Sequence, residues 1–254
     1  MSIIIKCFLT VTPNKLFYDF CKKLPNPNNI YICIDDNNYN IPDYDGKIKI
    51  IKINKQICEK SGFKNTHSRI KGATSREKAL YYFYKNKDKI KYDHIWFLEE
   101  DVFIPTVDTI KNIDIKYPNL DLLSSCRGKK GAGAKTGIIH NKETNWWWHL
   151  VNKQLNGKIN LPYARSMICA VRCSNKLLNC IFKHALKYKT LFFCEVMFNT
   201  IALHNNLKYR PVSEVQTIIF QKKGGWQKDE INKNNLYHPV KSIKIQYELR
   251  KYIN

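Results

Sequence analysis

With 254 residues, 44% of them hydrophobic and 13% aromatic, the chain can bury one large core or two small ones, which excludes a disordered protein. The formal net charge of +22 (43 Lys and Arg against 21 Asp and Glu) points either to an anionic partner or to the Lys, Asn and Ile codons of an AT-rich viral or protist genome. The basic residues are spread along the whole chain with no arginine-rich arm, which favours the codon explanation.

The first residues, MSIIIKCFLTVT, are β-branched and apolar. Lys6 interrupts the run, and it has neither a basic start nor a small-residue cleavage site, so a first strand is expected over 2–12 and a signal peptide is not. No apolar run reaches the roughly 18 residues that cross a bilayer, and a cytoplasmic location is expected, the host cytoplasm for a viral protein. Pro13 then opens NKLFYDFCKKL, where Leu16, Phe17, Phe20 and Leu24 recur at helical spacing until Pro25 and Pro27 stop it. A second strand is expected over 29–36, ending on Asp35 and Asp36, and a half-exposed strand over 47–54, where Lys alternates with Ile. Thr74-Ser75-Arg76-Glu77 matches a capping box and predicts a helix over 75–85.

DHIWFLEEDVFI (93–104) predicts the fourth strand, followed by a helix from Val107 to Ile115 and a strand over 120–126. Strands alternating with helices imply right-handed crossovers and a mainly parallel sheet covered on both faces. Beyond a Gly/Lys loop (127–137), YARSMICAVRCS reads as a strand, SNKLLNCIFKHALKY and CEVMFNTIALHNN as helices, VQTIIF (215–220) as a short strand, and the tail as extended and then helical. The nine cysteines are odd in number, irregularly spaced and often set in apolar runs, without CxxC, as expected of free thiols in a reducing compartment.

The acid triplet Glu99-Glu100-Asp101 stands out at the carboxyl end of a buried strand, which is where parallel α/β sheets bind ligands. Carboxylates in such a place need a positive partner, and a divalent ion with oxygen ligands supplies one. In an extended strand Glu99 and Asp101 share a face and Glu100 takes the other. Aromatic faces also stack on sugars, and Trp146-Trp147-Trp148 cannot all enter one core.

A βαβ half followed by a strand ending in this triplet resembles the GT-A-type glycosyltransferases, whose Asp-x-Asp motif Glu99-Glu100-Asp101 is similar to; the pattern of elements extends over about residues 1–240. The resemblance implies an α/β, GT-A-like fold with a mainly parallel central sheet flanked by helices. It implies one domain over 1–254, with 1–126 as the nucleotide-sugar half and 127–254 as the acceptor half and C-terminal tail. The donor would be a nucleotide-diphosphate sugar, UDP-linked ahead of GDP-linked, with Mn²⁺ or Mg²⁺, and the acceptor a glycan or another hydroxyl. Asp101 is the implied direct metal ligand, Glu99 lies beside the ion or the ribose, and His238 is a further ligand. Glu100 belongs to the same donor end on the opposite face. Thr12, Asp35 and Asp36 fall where the base and ribose are held; the other readings are a plain strand end before Pro13 for Thr12 and a turn for Asp35-Asp36. Arg69, Lys71 and Arg76 supply cations for the diphosphate, or form a solvated basic loop, and Lys241 in the tail would neutralise the leaving diphosphate. Glu195, in the first turn of its helix, is the implied general base for an inverting transfer, with Glu214 as a rival, and Trp146, Trp147 and Trp148 would contact the acceptor.

Two other classes compete with this one. A nucleotidyltransferase would carry a Gly-rich loop after the first strand, and TVTPNKLF has no glycine; GKKGAGAK (128–135) lacks Walker spacing. A basic nucleic-acid-binding protein suits the charge but not the acid triplet.

Overall fold

Three apolar stretches pair side by side to start the sheet. β1 (Ile4–Thr10) lies parallel to β2 (Ile30–Ile34) on one side and to β6 (His94–Glu99) on the other, with Leu9 opposite Glu99. The structure, a computed structural model, describes residues 2–40, 42, 46, 48–67, 70–125, 138–139 and 148–253. β3 (Lys49–Lys52) extends the sheet beyond β2. On the far side of β6 comes β10 (Met167–Ser174), antiparallel to both of its neighbours, then β7 (Leu122–Ser125) and β11 (Tyr209–Pro211). The order of this mixed seven-stranded sheet is β3-β2-β1-β6-β10-β7-β11. Helices flank it, which makes the architecture mixed α/β.

Alternation along the strands sorts side chains into two cores. Ile5, Cys7, Leu9, Ile95 and Phe97 face α3 (Ser75–Lys85), α6 (Asn175–Tyr188) and α7 (Cys194–His204). Phe8, Ile30, Ile32, Trp96 and Leu98 face α1 (Lys15–Lys23) and α4 (Thr109–Lys116). Smaller elements lie outside the main sheet: α2 (Lys55–Lys60), the antiparallel pair β4 (Asn65–His67) and β5 (Ile70–Gly72), and the pair β8 (Ile138–Ile139) with β9 (Tyr163–Ala164). α5 (Trp148–Leu155) precedes β9 and α8 (Ile243–Ile253) closes the chain.

The helices begin where their caps dictate. Asn14 accepts from the Phe17 amide at the start of α1, and Ser174 accepts from the Leu177 amide before α6. The Glu77 carboxylate accepts from both the amide and the hydroxyl of Thr74, at 2.9 and 2.6 Å, so the capping box expected for α3 is formed. α4 is fastened to the sheet by a buried ion pair: Arg172 of β10 meets Asp114 at 2.8 Å, and the Trp96 indole donates to the same carboxylate oxygen at 2.9 Å.

One expectation fails in the second half. VQTIIF makes no strand: Ser213–Val215 is a 3₁₀ turn, and only Ile218 bridges, to His238. The neighbouring YRP takes the sheet-edge place as β11 instead. Both stretches are short, and which one reaches the edge depends on long-range packing that local pattern does not encode.

The tail is bound into the fold next to the acid triplet. Phe103 and Tyr237 exchange backbone hydrogen bonds, and Val240 donates to the Asp101 carbonyl at 2.8 Å. The buried Gln246 of α8 donates to the Glu100 and Val240 carbonyls, at 2.9 and 3.0 Å. Phe103, Tyr237, Val240 and Leu249 form a small third core beneath this strap.

Candidate functional site

β1 and β6 end side by side at a cleft of about 320 Å³. The chain leaves these two strands toward opposite sides of the sheet order, so a crevice opens between their carboxyl ends. Leu9, Thr10 and Val11 form one wall; Thr74, Ser75 and Arg76, at the start of α3, form another. Glu99, Glu100 and Asp101 form the floor, and Lys241 reaches in from the tail.

Strand β6 stops at Glu99, and Glu100 and Asp101 turn away from the sheet. The strand alternation expected of the three acids therefore ends at Glu99, yet two of them meet a common partner. Glu99 and Asp101 converge on one imidazole: His238 Nε2 stands 3.4 Å from Asp101 Oδ2 and 3.9 Å from Glu99 Oε2. Glu100 faces elsewhere and accepts a short hydrogen bond from the Thr10 hydroxyl. Burial raises the Glu100 pKa, Asp101 adds to the rise, and Thr10 partly offsets it.

The other ring nitrogen of His238, Nδ1, is 2.6 Å from the Ile219 carbonyl, which requires the proton to sit there. That bond aims Nε2 at the two carboxylates, and metal-binding histidines are commonly oriented in this way. Burial alone would lower the His238 pKa, but the hydrogen bond and charge of Asp101, with Glu99 behind, hold it above the ordinary value. The cluster therefore attracts a positive charge, and its donors, two carboxylates and an imidazole nitrogen, fit a divalent cation.

Arg76 is not free for a diphosphate. Its guanidinium is buried, meets Glu99 Oε1 at 2.6 Å and donates to the Ile168 carbonyl at 3.3 Å. Asp35 is likewise engaged, with its carboxylate 3.2 Å from the fully buried Lys78 ammonium, while Asp36 caps the following turn through the Asn38 amide. The Asp35 and Asp36 amides donate to the Thr10 and Val11 carbonyls, which ties this loop to the cleft wall. Thr12 lies in an exposed bend beyond the end of β1, so it is Thr10, two residues earlier, that meets the triplet. Lys241 is exposed at the cleft.

Glu195 opens α7, and its backbone carbonyl accepts from the Ser166 amide at 2.9 Å. Its Oε2 is buried without a hydrogen-bond partner among the described residues. Burial pushes its pKa up to about 7, with Glu99 adding to the rise and Arg76 opposing it. The rival Glu214 is committed elsewhere: Lys116 at 2.5 Å and the Tyr117 hydroxyl at 2.9 Å hold its carboxylate, and their bonds lower its pKa despite burial. Arg69, Trp146 and Trp147 lie outside the described residues, as do the side chains of Lys71 in β5 and Trp148 in α5.

Cys169, which the sequence places as a free thiol in a strand and not as a ligand, joins the site from β10. Its thiol sulfur, a Glu99 carboxylate oxygen and a His238 ring nitrogen lie within 4.8 Å of one another. Thr10, Ile219 and Gln246 were missed as well. Thr10 was within reach, as the strand residue two before Thr12; the others join the site only through the fold.

No protein-family description fits the chain, and no curated protein is significantly similar to it in sequence. Among solved structures, an active-site mutant of LgtC aligns over 98% of this chain and 95% of its own. The TM-score is 0.39 and the sequence identity 11%. Chemistry has to be read from the site itself.

Proposed function

We propose that the protein is a metal-dependent glycosyltransferase. It moves a sugar from a nucleotide-diphosphate sugar, UDP-linked ahead of GDP-linked, to the hydroxyl of a glycan or similar acceptor, with inversion. The observation that carries this reading is His238, pinned through Nδ1 to Ile219 so that Nε2 faces Asp101 and Glu99 at the mouth of a strand-end cleft.

Asp101, His238 and Glu99 are the residues that would hold Mn²⁺ or Mg²⁺, and the ion would supply Lewis-acid stabilisation of the departing diphosphate. The protein's own groups do the rest. Lys241 and the start of α3 present positive charge and dipole to the phosphates. Arg76 orients Glu99 from behind through the 2.6 Å ion pair. Glu195 takes the acceptor hydroxyl proton as that oxygen bonds to the anomeric carbon; the bond from that carbon to the diphosphate oxygen breaks, and the nucleoside diphosphate leaves. A carboxyl group with a pKa near 7 suits a base working close to neutrality.

A thermal-shift panel of UDP- and GDP-sugars with and without Mn²⁺ tests the reading. A Mn²⁺-dependent rise in melting temperature with at least one donor, followed by release of its nucleoside diphosphate, is the expected result. No shift with any donor in the presence of Mn²⁺ would overturn it.

A further inference from the structure

The thiol beside the carboxylates has no role in the transfer chemistry. β10 pairs irregularly with β7 between Met167 and Val171. The bulge breaks the alternation of β10, so that Cys169 and Ala170, consecutive in the chain, both pack into the same core. This puts the Cys169 sulfur beside Glu99 and His238, which come from β6 and from the tail strap. All three donors lie within 4.8 Å of one another, and Cys169 and His238 are both only 7% exposed. The donors of a tetrahedral Zn²⁺ site sit roughly 3.3–3.8 Å apart, so side-chain adjustment brings these three to ligation distance without moving a strand.

We propose that Glu99, Cys169 and His238 form a binding site for a borderline-soft divalent cation, Zn²⁺ foremost, which shares two donors with the hard-ion site at Asp101 and competes with it. This rests on reading Glu99, Asp101 and His238 as a cation site. A sulfur, a nitrogen and an oxygen from three separate elements are a donor set that Zn²⁺ favours and that Mn²⁺ and Mg²⁺ do not. On binding, the Cys169 S–H bond breaks, its proton passes to solvent, the sulfur lone pair goes to the metal, and no oxidation state changes. Because Glu99 and His238 cannot serve two ions at once, Zn²⁺ excludes the ion needed for transfer.

Cobalt(II) replaces zinc in such sites and reports sulfur ligation directly. Titrating the full chain with Co²⁺ is expected to give a sulfur-to-cobalt charge-transfer band that Zn²⁺ abolishes. Cys169→Ser loses the band and Cys180→Ser, at a half-buried position on α6, keeps it. Zn²⁺ affinity in Cys169→Ser falls at least about tenfold while Mn²⁺ affinity, read from the free-ion EPR signal, stays within about twofold. No band in the native protein, or a band that survives Cys169→Ser, overturns the proposal. Should Cys169→Ser not fold, Asp101→Asn serves instead: it keeps the band and loses Mn²⁺ affinity, and loss of the band there overturns the proposal. A cobalt band together with no sugar transfer under Mn²⁺ would leave the sulfur site standing and sink the glycosyltransferase reading alone.

Discussion

At His238 the two ring nitrogens have different tasks. Nδ1 is held by the Ile219 carbonyl, and Nε2 is left to face Asp101 and Glu99. Asp101→Asn and His238→Gln should each weaken Mn²⁺ binding about 100-fold or more, and transfer with it, as isothermal titration and a nucleotide-release assay would measure. Glu100→Gln should cost less than about fivefold, because that side chain serves the Thr10 hydroxyl and the amide can still accept its bond. Equal damage from Glu100→Gln would mean that the acids do not divide as described. His184 is a different case. Its buried Nε2 has no hydrogen-bond partner among the described residues, and it packs on Tyr188 and Phe192. Burial, with Lys158 and Lys187 nearby, lowers its pKa from 6.5 to about 4. The unfolded chain therefore takes up this proton first as pH falls. The stability that neutral His184 contributes is full above about 6.5 and drains away toward about 4. His184→Phe should flatten that part of the curve, so that the urea midpoint of the variant gains on the native protein between pH 7 and pH 4.5; a parallel loss in both would refute the assignment.

At the scale of elements, α8 and the strap before it hold the acid triplet from outside the sheet. Gln246 bonds the Glu100 and Val240 carbonyls at once, and Arg250 donates to the Ile104 carbonyl at 2.9 Å. Gln246→Leu strands both carbonyls, which should cost about 1–3 kcal/mol and loosen the strap carrying His238, raising the Mn²⁺ dissociation constant along with lowering Tm. A fall in Tm with unchanged Mn²⁺ affinity would show that α8 braces the fold without positioning the site. The Arg172–Asp114 pair gives a stronger test of burial. Asp114→Ala leaves a fully buried guanidinium uncompensated and should cost about 3–5 kcal/mol, whereas Lys15→Ala, which breaks an exposed pair in α1, should cost under about 0.5 kcal/mol by chemical denaturation. The capping residues that open α1, α3 and α6 are local, and the sequence displays them as such. β11 and the tail strap are not local: β11 pairs with β7, 87 residues earlier, and Tyr237 of the strap pairs with Phe103, 134 residues earlier, and no run of neighbours announces either pairing.

Over the whole molecule, the net charge of +22 surrounds a cleft whose floor is acidic. Long-range attraction should speed the approach of an anionic donor, so kcat/KM for a nucleotide sugar is expected to fall as ionic strength rises, while that for a neutral acceptor stays nearly flat. Equal salt dependence for both substrates would rule out steering. Among the described residues no helix is long and apolar enough to cross a membrane. The sequence by itself determined the alternation of strands and helices in the first half, the box that starts α3, and the acid triplet at the end of β6. It did so because hydrophobic period and capping chemistry act over a few residues. Only the tertiary structure decided that Arg76 serves Glu99, that Glu214 is occupied by Lys116, and that a thiol 70 residues downstream of Glu99 stands beside it. Those neighbours come from separate strands and from the tail, and the sheet order that joins them is fixed by the burial of many side chains together, which no short stretch of sequence carries.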